Sequence, residues 1–394
     1  MSALHDTLHR YVDDGSVPGA VGLVARGGGE ADVEVVTAGS VDAEGTAPMA
    51  RDTIFRIASL TKPVAAAAVL MLVEEGRLAL DAPVEEWLPE LAEPSVVRTP
   101  GAPVDDVVPA DRPITVEDVL GSRTGWGFPA DFSLPAVRSL FAVQRDGRSL
   151  GDWPDPGTWL NLLARVPMLH QPGTAWLYGT SSDLQGILVA RASGRTLPDF
   201  LAERIFEPLG MRDTAFEVPE AKRSRFTSFY TPAPDGTLEL TDAPDGEWDR
   251  LPRFHSGGGG LVSTADDWLA FARMLLNGGE GDGHRLLTRS SVDRMTTNHL
   301  TAEQRAAVPL FLEGQGWGYG GQVDVAPTDP WNVPGRYGWV GGTGTTAHIV
   351  PATGTVAILL TQVGMTSPTP TPLMRDFWRS VAGDQASPGA APGA

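Results

Sequence analysis

Cysteine is absent from all 394 residues, which excludes disulfides, thiolate metal sites and a cysteine nucleophile. Positive charge is scarce: 30 Lys and Arg stand against 49 Asp and Glu, a formal net charge of -19. Nucleic acid or an anionic membrane surface would be repelled rather than bound through released counterions. Both are therefore excluded as partners, and an uncharged or cationic small molecule is expected. Long apolar runs are also missing. The longest, residues 63–73, is too short to span a bilayer. The first residues carry acids and histidines where an export signal needs an unbroken apolar stretch, so a cytoplasmic location is expected. The letters Gly-x-Ser-x-Gly occur once, at Gly147-Arg148-Ser149-Leu150-Gly151, but the polar Gln144-Arg145-Asp146 stand directly before them where a nucleophile elbow needs an apolar strand, which argues against the α/β-hydrolase fold. The histidines are not read as a ligand set, and neither a metal nor another cofactor is expected.

What is present reads as an α+β chain large enough to bury a sizeable core. Leu4, Leu8 and Tyr11 or Val12 share one face of an N-terminal helix. Two β-branched runs, 19–25 and 33–38, flank Arg-Gly-Gly-Gly and predict a hairpin. Residues 64–75 are rich in Ala, Leu, Val and Met and end at Gly76, the pattern of a buried helix. From 77 to 250 the chain is rich in Pro, Gly and Trp, with helices predicted over 116–120, 158–166, 182–192 and 197–205. A further helix starts at Ser263 or Thr264 as N-cap, with Asp266 and Asp267 in its first turn, and runs to Leu276. Strands follow over 345–351 and 355–362, then a closing helix over 373–381. The expected architecture is an antiparallel sheet flanked by helices, built from 1–76 and 251–382, with 77–250 inserted as a mainly helical lobe. Residues 383–394 offer nothing to bury and predict a disordered tail.

The segment that carries chemistry is Phe55-Arg56-Ile57-Ala58-Ser59-Leu60-Thr61-Lys62-Pro63. Residues three apart lie on one face of a helical first turn, so the Ser59 hydroxyl and the Lys62 amine can meet. The helix start also favours negative charge developing at Ser59 during acyl transfer. An ammonium becomes a base only after losing its proton, and burial favours that loss because the charged form forfeits its hydration. Only Lys62 and Lys222 are lysines, against 28 arginines. Arginine, which does not give up its proton, could not replace an amine that must.

This segment resembles the nucleophile motif of serine β-lactamases, penicillin-binding peptidases and the related family VIII carboxylesterases. Further segments are similar to that family in the expected order: Pro18-Gly19-Ala20-Val21-Gly22, Leu120 to Gly125, Gln171 to Trp176, and Ser256 to Asp267. The resemblance implies a β-lactamase/transpeptidase-like fold with the site in a cleft between an α/β lobe and a helical lobe. It also implies that Tyr178, in Trp176-Leu177-Tyr178-Gly179-Thr180, exchanges protons with Ser59. The β-lactamase and peptidase pattern has Asn two residues after the tyrosine, whereas Thr180 stands there in this chain. Trp339-Val340-Gly341 resembles the Trp-Gly-Gly type of the esterases, with Val340 a departure, and no lysine occupies this third motif. The N–H groups of Ser59 and Gly342 would form the oxyanion hole.

The reading is a serine hydrolase cleaving carboxylic esters through an acyl-Ser59 intermediate, with Lys62 and Tyr178 as general base and acid. Thr180, Trp339, Val340, Gly341, Trp126 and His255 are the candidate substrate contacts. The alternatives are an acyltransferase, a peptide cyclase or an amidase on the same fold, then a β-lactamase or D-amino-acid peptidase, then an idle binding module. Trp153, Trp159, Trp317 and Trp331 stand in loops and are read as either pocket or packing, and His348 as a possible cleft residue. Gly316-Trp317-Gly318-Tyr319-Gly320-Gly321 has the letters of a dinucleotide fingerprint without its flanking strand and helix, and is read as a loop.

Overall fold

A computed structural model describes residues 2–27, 29, 32–144, 151 and 153–385. Its centre is a seven-stranded antiparallel sheet drawn from both ends of the chain. The strands are β1 (Gly19–Arg26), β2 (Val33–Gly39), β3 (Gly316–Trp317), β4 (Gln322–Val323), β5 (Tyr337–Gly341), β6 (Thr345–Val350) and β7 (Thr355–Thr361), in the order β3-β4-β5-β6-β7-β1-β2. The N-terminal strand β1 pairs with β7, Leu23 opposite Ile358, and with β2, Gly22 opposite Val36. The α+β expectation therefore holds, with the predicted hairpin and both C-terminal strands in place.

Every residue of β7, and all of β1 but its last, is buried. Since successive side chains point to opposite faces, helices must cover both. On one side α1 (Ala3–Asp13) and the closing helix α5 (Pro372–Gln385) pack on each other and on the sheet, while α4 (Ala265–Leu276) packs against β1, β6 and β7. Leu4 and Leu8 are the buried residues of α1, each stabilising by about 2 kcal/mol. They press so close to β1 that a Cβ on Gly22 would lie 3.0 Å from Leu8. Thr264 is the N-cap of α4, its hydroxyl accepting from the Asp267 N–H.

The segment between the two sheet halves supplies helices Val116–Leu120, Pro135–Phe141, Pro156–Leu163, α3 (Thr180–Ser193) and Leu197–Leu201, the last running on as a π-helical turn to Phe206. It also supplies two hairpins, Ser95–Val97 with Val107–Pro109 and Phe229–Pro232 with Leu238–Asp242, which the sequence reading did not anticipate. Helix α2 (Thr61–Glu74) is buried from Thr61 to Leu72 and packs along α3. The run Ala65 to Ala68 keeps its surface smooth enough for that approach.

Three expectations need correction. The Gly316 to Gly321 segment is a hairpin at the sheet edge, Gly316 opposite Val323 and Trp317 opposite Gln322, rather than a loop. The closing helix extends to Gln385, so the first three residues of the predicted tail are helical, and 386–394 lie outside the described residues. His5 and His9, four apart on α1, stack with ring centroids 4.1 Å apart, a His-x-x-x-His spacing the sequence reading passed over. Among the described residues no group of three or more His, Asp or Glu is arranged to hold a metal. Among them, too, no helix is long and apolar enough to cross a membrane.

Candidate active site

The chain enters the site through Phe55–Arg56, which pairs with Val262–Ser263. Arg56 is buried, its Nε donating to Asp242 at 2.9 Å and its Nη1 to the Thr227 carbonyl at 2.6 Å, with the guanidinium 4.0 Å over the Phe226 ring. The β5–β6 turn is fastened to the same stretch: Thr343 Oγ1 donates to the Arg56 carbonyl at 2.6 Å and Thr345 Oγ1 to the Ile57 carbonyl at 3.2 Å. Ala58 then takes a φ of +41°, unusual for a residue with a side chain, and swings the next residue out.

Ser59 lies in a 3₁₀ turn, Ala58–Leu60, that leads directly into α2. Three residues per turn bring positions 59 and 62 into line. Lys62 Nζ is 2.8 Å from Ser59 Oγ, and Tyr178 OH is also 2.8 Å from it. The Lys62 nitrogen donates to the Gly258 carbonyl at 2.5 Å and sits 4.8 Å from the Tyr178 ring centroid. Trp339 Nε1–H donates to the Tyr178 hydroxyl at 2.9 Å. Lys62 is 3 % exposed. The other lysine, Lys222, is an ordinary surface cation paired with Asp213 at 2.9 Å.

These groups open onto a cavity of about 380 Å³. Ser59, Lys62, Tyr178, Trp339, Val340 and Gly342 all line it, so the sequence had named a substantial part of its wall. Four phenylalanines that it had not named form the apolar side: Phe128, Phe132, Phe141 and Phe311. Phe128 and Phe141 pack tilted with ring centroids 4.7 Å apart, and Phe311 stacks on the Tyr178 ring at 4.9 Å. The Phe128 and Tyr178 backbones also exchange hydrogen bonds of 2.9 and 3.1 Å, which locks this wall to the tyrosine. Residues Met365 to Pro368 also line the cavity.

Four of the expected substrate contacts lie elsewhere. Trp126 is buried with its indole N–H donating to the Val166 carbonyl at 2.8 Å, a core residue. His255 packs its ring edge on Phe216, and burial pushes its pKa down. Thr180, the first residue of α3, is fully buried and does not line the cavity. Gly341 is pressed on the nucleophile segment, where a Cβ would meet the Ile57 carbonyl oxygen at 2.5 Å. Trp153, Trp159 and Trp317 are core residues, and His348 with Trp331 borders a separate water-sized hollow behind Trp339.

Residues without an assigned role in the sequence turn out to support the site. Gly320, in the sheet-edge hairpin, has a φ of +77° and packs where a Cβ would lie 2.6 Å from the Lys62 carbonyl oxygen. Asp183, on α3, is 3 % exposed and accepts from Ser256 Oγ at 2.5 Å, Gln144 Nε2 at 2.7 Å and the Gly258 N–H at 3.2 Å. The spacing of Asp183, five residues after Tyr178 and one helical turn inside α3, was the signal that could have found it.

Comparison with known proteins identifies the family. Residues 4–375 match the family model described as Beta-lactamase. An uncharacterised protein of Mycobacterium tuberculosis is 37% identical over 364 residues, covering 90% of this chain and 88% of the relative. Esterase EstB of Burkholderia gladioli is 32% identical over 380 residues, covering 89% of this chain and 88% of its own. Among solved structures, that of "EstCE1, a hydrolase with promiscuous acyltransferase activity" superposes with a TM-score of 0.77 at 24% identity, covering 97% of this chain and 98% of that one, a likeness of fold. With the family model matched from α1 into α5 and the serine, lysine and tyrosine meeting at one cavity, this chain belongs to the Beta-lactamase family.

Proposed function

We propose that this protein is a carboxylesterase of the family VIII type that works through an acyl-Ser59 intermediate. The observation that carries the reading is the shared 2.8 Å approach of Lys62 Nζ and Tyr178 OH to Ser59 Oγ at the floor of an apolar cavity. As Ser59 Oγ attacks the ester carbonyl, its proton passes to the Lys62/Tyr178 pair. The oxygen that becomes negative is held by the N–H groups of Ser59 and Gly342. The pair returns the proton to the departing alcohol as the ester C–O bond breaks. Water then gives its proton to the same pair, attacks the acyl carbon and releases the acid, which restores the Ser59 hydroxyl. The Trp339 indole N–H, donating to the Tyr178 oxygen, fixes the ring.

Two features favour a neutral ester over a β-lactam or a peptide. The position of the carboxamide that would grip a substrate amide is held by Thr180, whose side chain is away from the cavity. Among the described residues the titratable side chains of the cavity wall are Lys62, Tyr178 and Asp183, so none beyond the base itself is a cation for a substrate carboxylate. Ser59→Ala is expected to lose turnover of p-nitrophenyl butyrate by roughly a million-fold, as when a serine nucleophile is deleted elsewhere. Turnover within tenfold of the native enzyme would contradict the assignment. Acyl transfer to an alcohol other than water is the second reading, favoured by the phenylalanine wall, which offers an organic acceptor more contact than it offers water.

A further inference from the structure

We infer that Asp183 is a positioning residue for the base: it fixes the Lys62 amine through the Ser256–Gly258 turn and supplies the negative charge that faces it. The inference rests on Lys62 acting as the base of the proposed reaction. The link is a short relay of bonds. The Asp183 carboxylate accepts the Gly258 N–H at 3.2 Å, and the carbonyl of the same glycine accepts from Lys62 Nζ at 2.5 Å. Ser256 Oγ ties the turn to the carboxylate, donating to Asp183 at 2.5 Å and accepting from the Gly258 N–H at 3.1 Å. The turn is so tightly seated that a Cβ on Gly258 would lie 3.1 Å from the Asp183 oxygen.

A carboxylate with 3 % exposure is an expensive group to keep unless it is paired and fully hydrogen-bonded. Here three donors surround it, Ser256, Gln144 and the Gly258 amide. Burial pushes its pKa up, opposed by the Ser256 and Gln144 bonds, by the charge on Lys62 and by the Gly258 amide. Among the described residues that line the cavity it is the one carboxylate, and Lys62 and Tyr178 are the other titratable groups there. His255, at the edge of the same turn, packs on Phe216 instead. Among the described residues that line the cavity, the Lys62 amine thus has one carboxyl group for company, on α3, while the tyrosine approaches from the segment just before that helix.

The sign of the effect follows. A nearby negative charge favours the protonated amine. Replacing it with a neutral group lets the amine lose its proton at lower pH, while loosening the turn misplaces the amine. Asp183→Asn is therefore expected to move the acid limb of kcat/KM for p-nitrophenyl butyrate downward by about half a pH unit or more, and to lower kcat about tenfold with KM within about twofold. Ser256→Ala, which keeps the carboxylate but removes its shortest donor, is expected to move the limb the same way by less; it decides the matter if Asp183→Asn does not fold. An acid limb that stays at the native pH in both variants, with a lowered melting temperature alone, overturns the inference and leaves Asp183 a structural residue. Ser59→Ala measured alongside separates the two failures. If it keeps native turnover the whole reading falls; if it is inactive while the limb does not move, the inference alone falls.

Discussion

Ala58 holds a backbone conformation that costs a side-chain-bearing residue about 1 kcal/mol, and it does so one residue before the serine. Strain of this kind persists where the surroundings over-determine it. Here the bonds that Thr343 and Thr345 make to the Arg56 and Ile57 carbonyls do that. The serine and lysine were legible because their spacing lets positions 59 and 62 meet on one side of a first turn and because the segment around them resembles the family's nucleophile motif. The scarcity of lysine, only two in the chain, strengthened the reading. Lys62→Arg keeps the charge but removes the ability to give up a proton, so turnover is expected to fall by about 10²–10⁴-fold while the unfolding midpoint stays near native. Retention of most activity would show that the amine is not the base. The phenylalanines of the wall were not legible, because Phe128, Phe132, Phe141 and Phe311 come from separate loops and short helices and have no common period.

At the scale of elements, the two longest inner strands and α2 were read well because a buried strand and a buried helix each leave an apolar run. The edge hairpin was misread because its strands are two residues long, too short for any alternation to show. Its role is nevertheless specific. Gly320 lets the hairpin touch the backbone of Lys62, which no other residue type could do at a φ of +77° and a Cβ distance of 2.6 Å. Gly320→Ala is expected to destabilise the fold by about 2 kcal/mol or more and to reduce turnover of the folded fraction, read by chemical denaturation and by activity per folded molecule. Native stability would mean that the hairpin yields freely and does not brace α2. The tryptophans illustrate the converse limit. Trp126 and Trp339 look alike in a loop-rich sequence, yet one donates its indole proton to a core carbonyl and the other to the Tyr178 hydroxyl. Only the packing decides between them.

For the whole molecule, strands from near both chain ends meet in one sheet, and the segment between them carries Tyr178 and Asp183 to the turn that bears Ser59 and the helix start that bears Lys62. A charge of -19 over the whole chain and a cavity wall whose one cationic side chain is Lys62 are the grounds on which the proposed substrate is neutral rather than anionic. Composition indicated the first of these properties, while the second depended on the three-dimensional arrangement. Both bear on the proposed acyl transfer to Ser59 from a neutral ester. The most direct test is to mix the protein with p-nitrophenyl butyrate, quench with acid within the first turnovers, and map the acylated peptide by mass spectrometry. A single butyryl group on Ser59, absent from the Ser59→Ala protein, is the predicted result. Steady hydrolysis with no adduct on Ser59, or with the adduct on another residue, would contradict it.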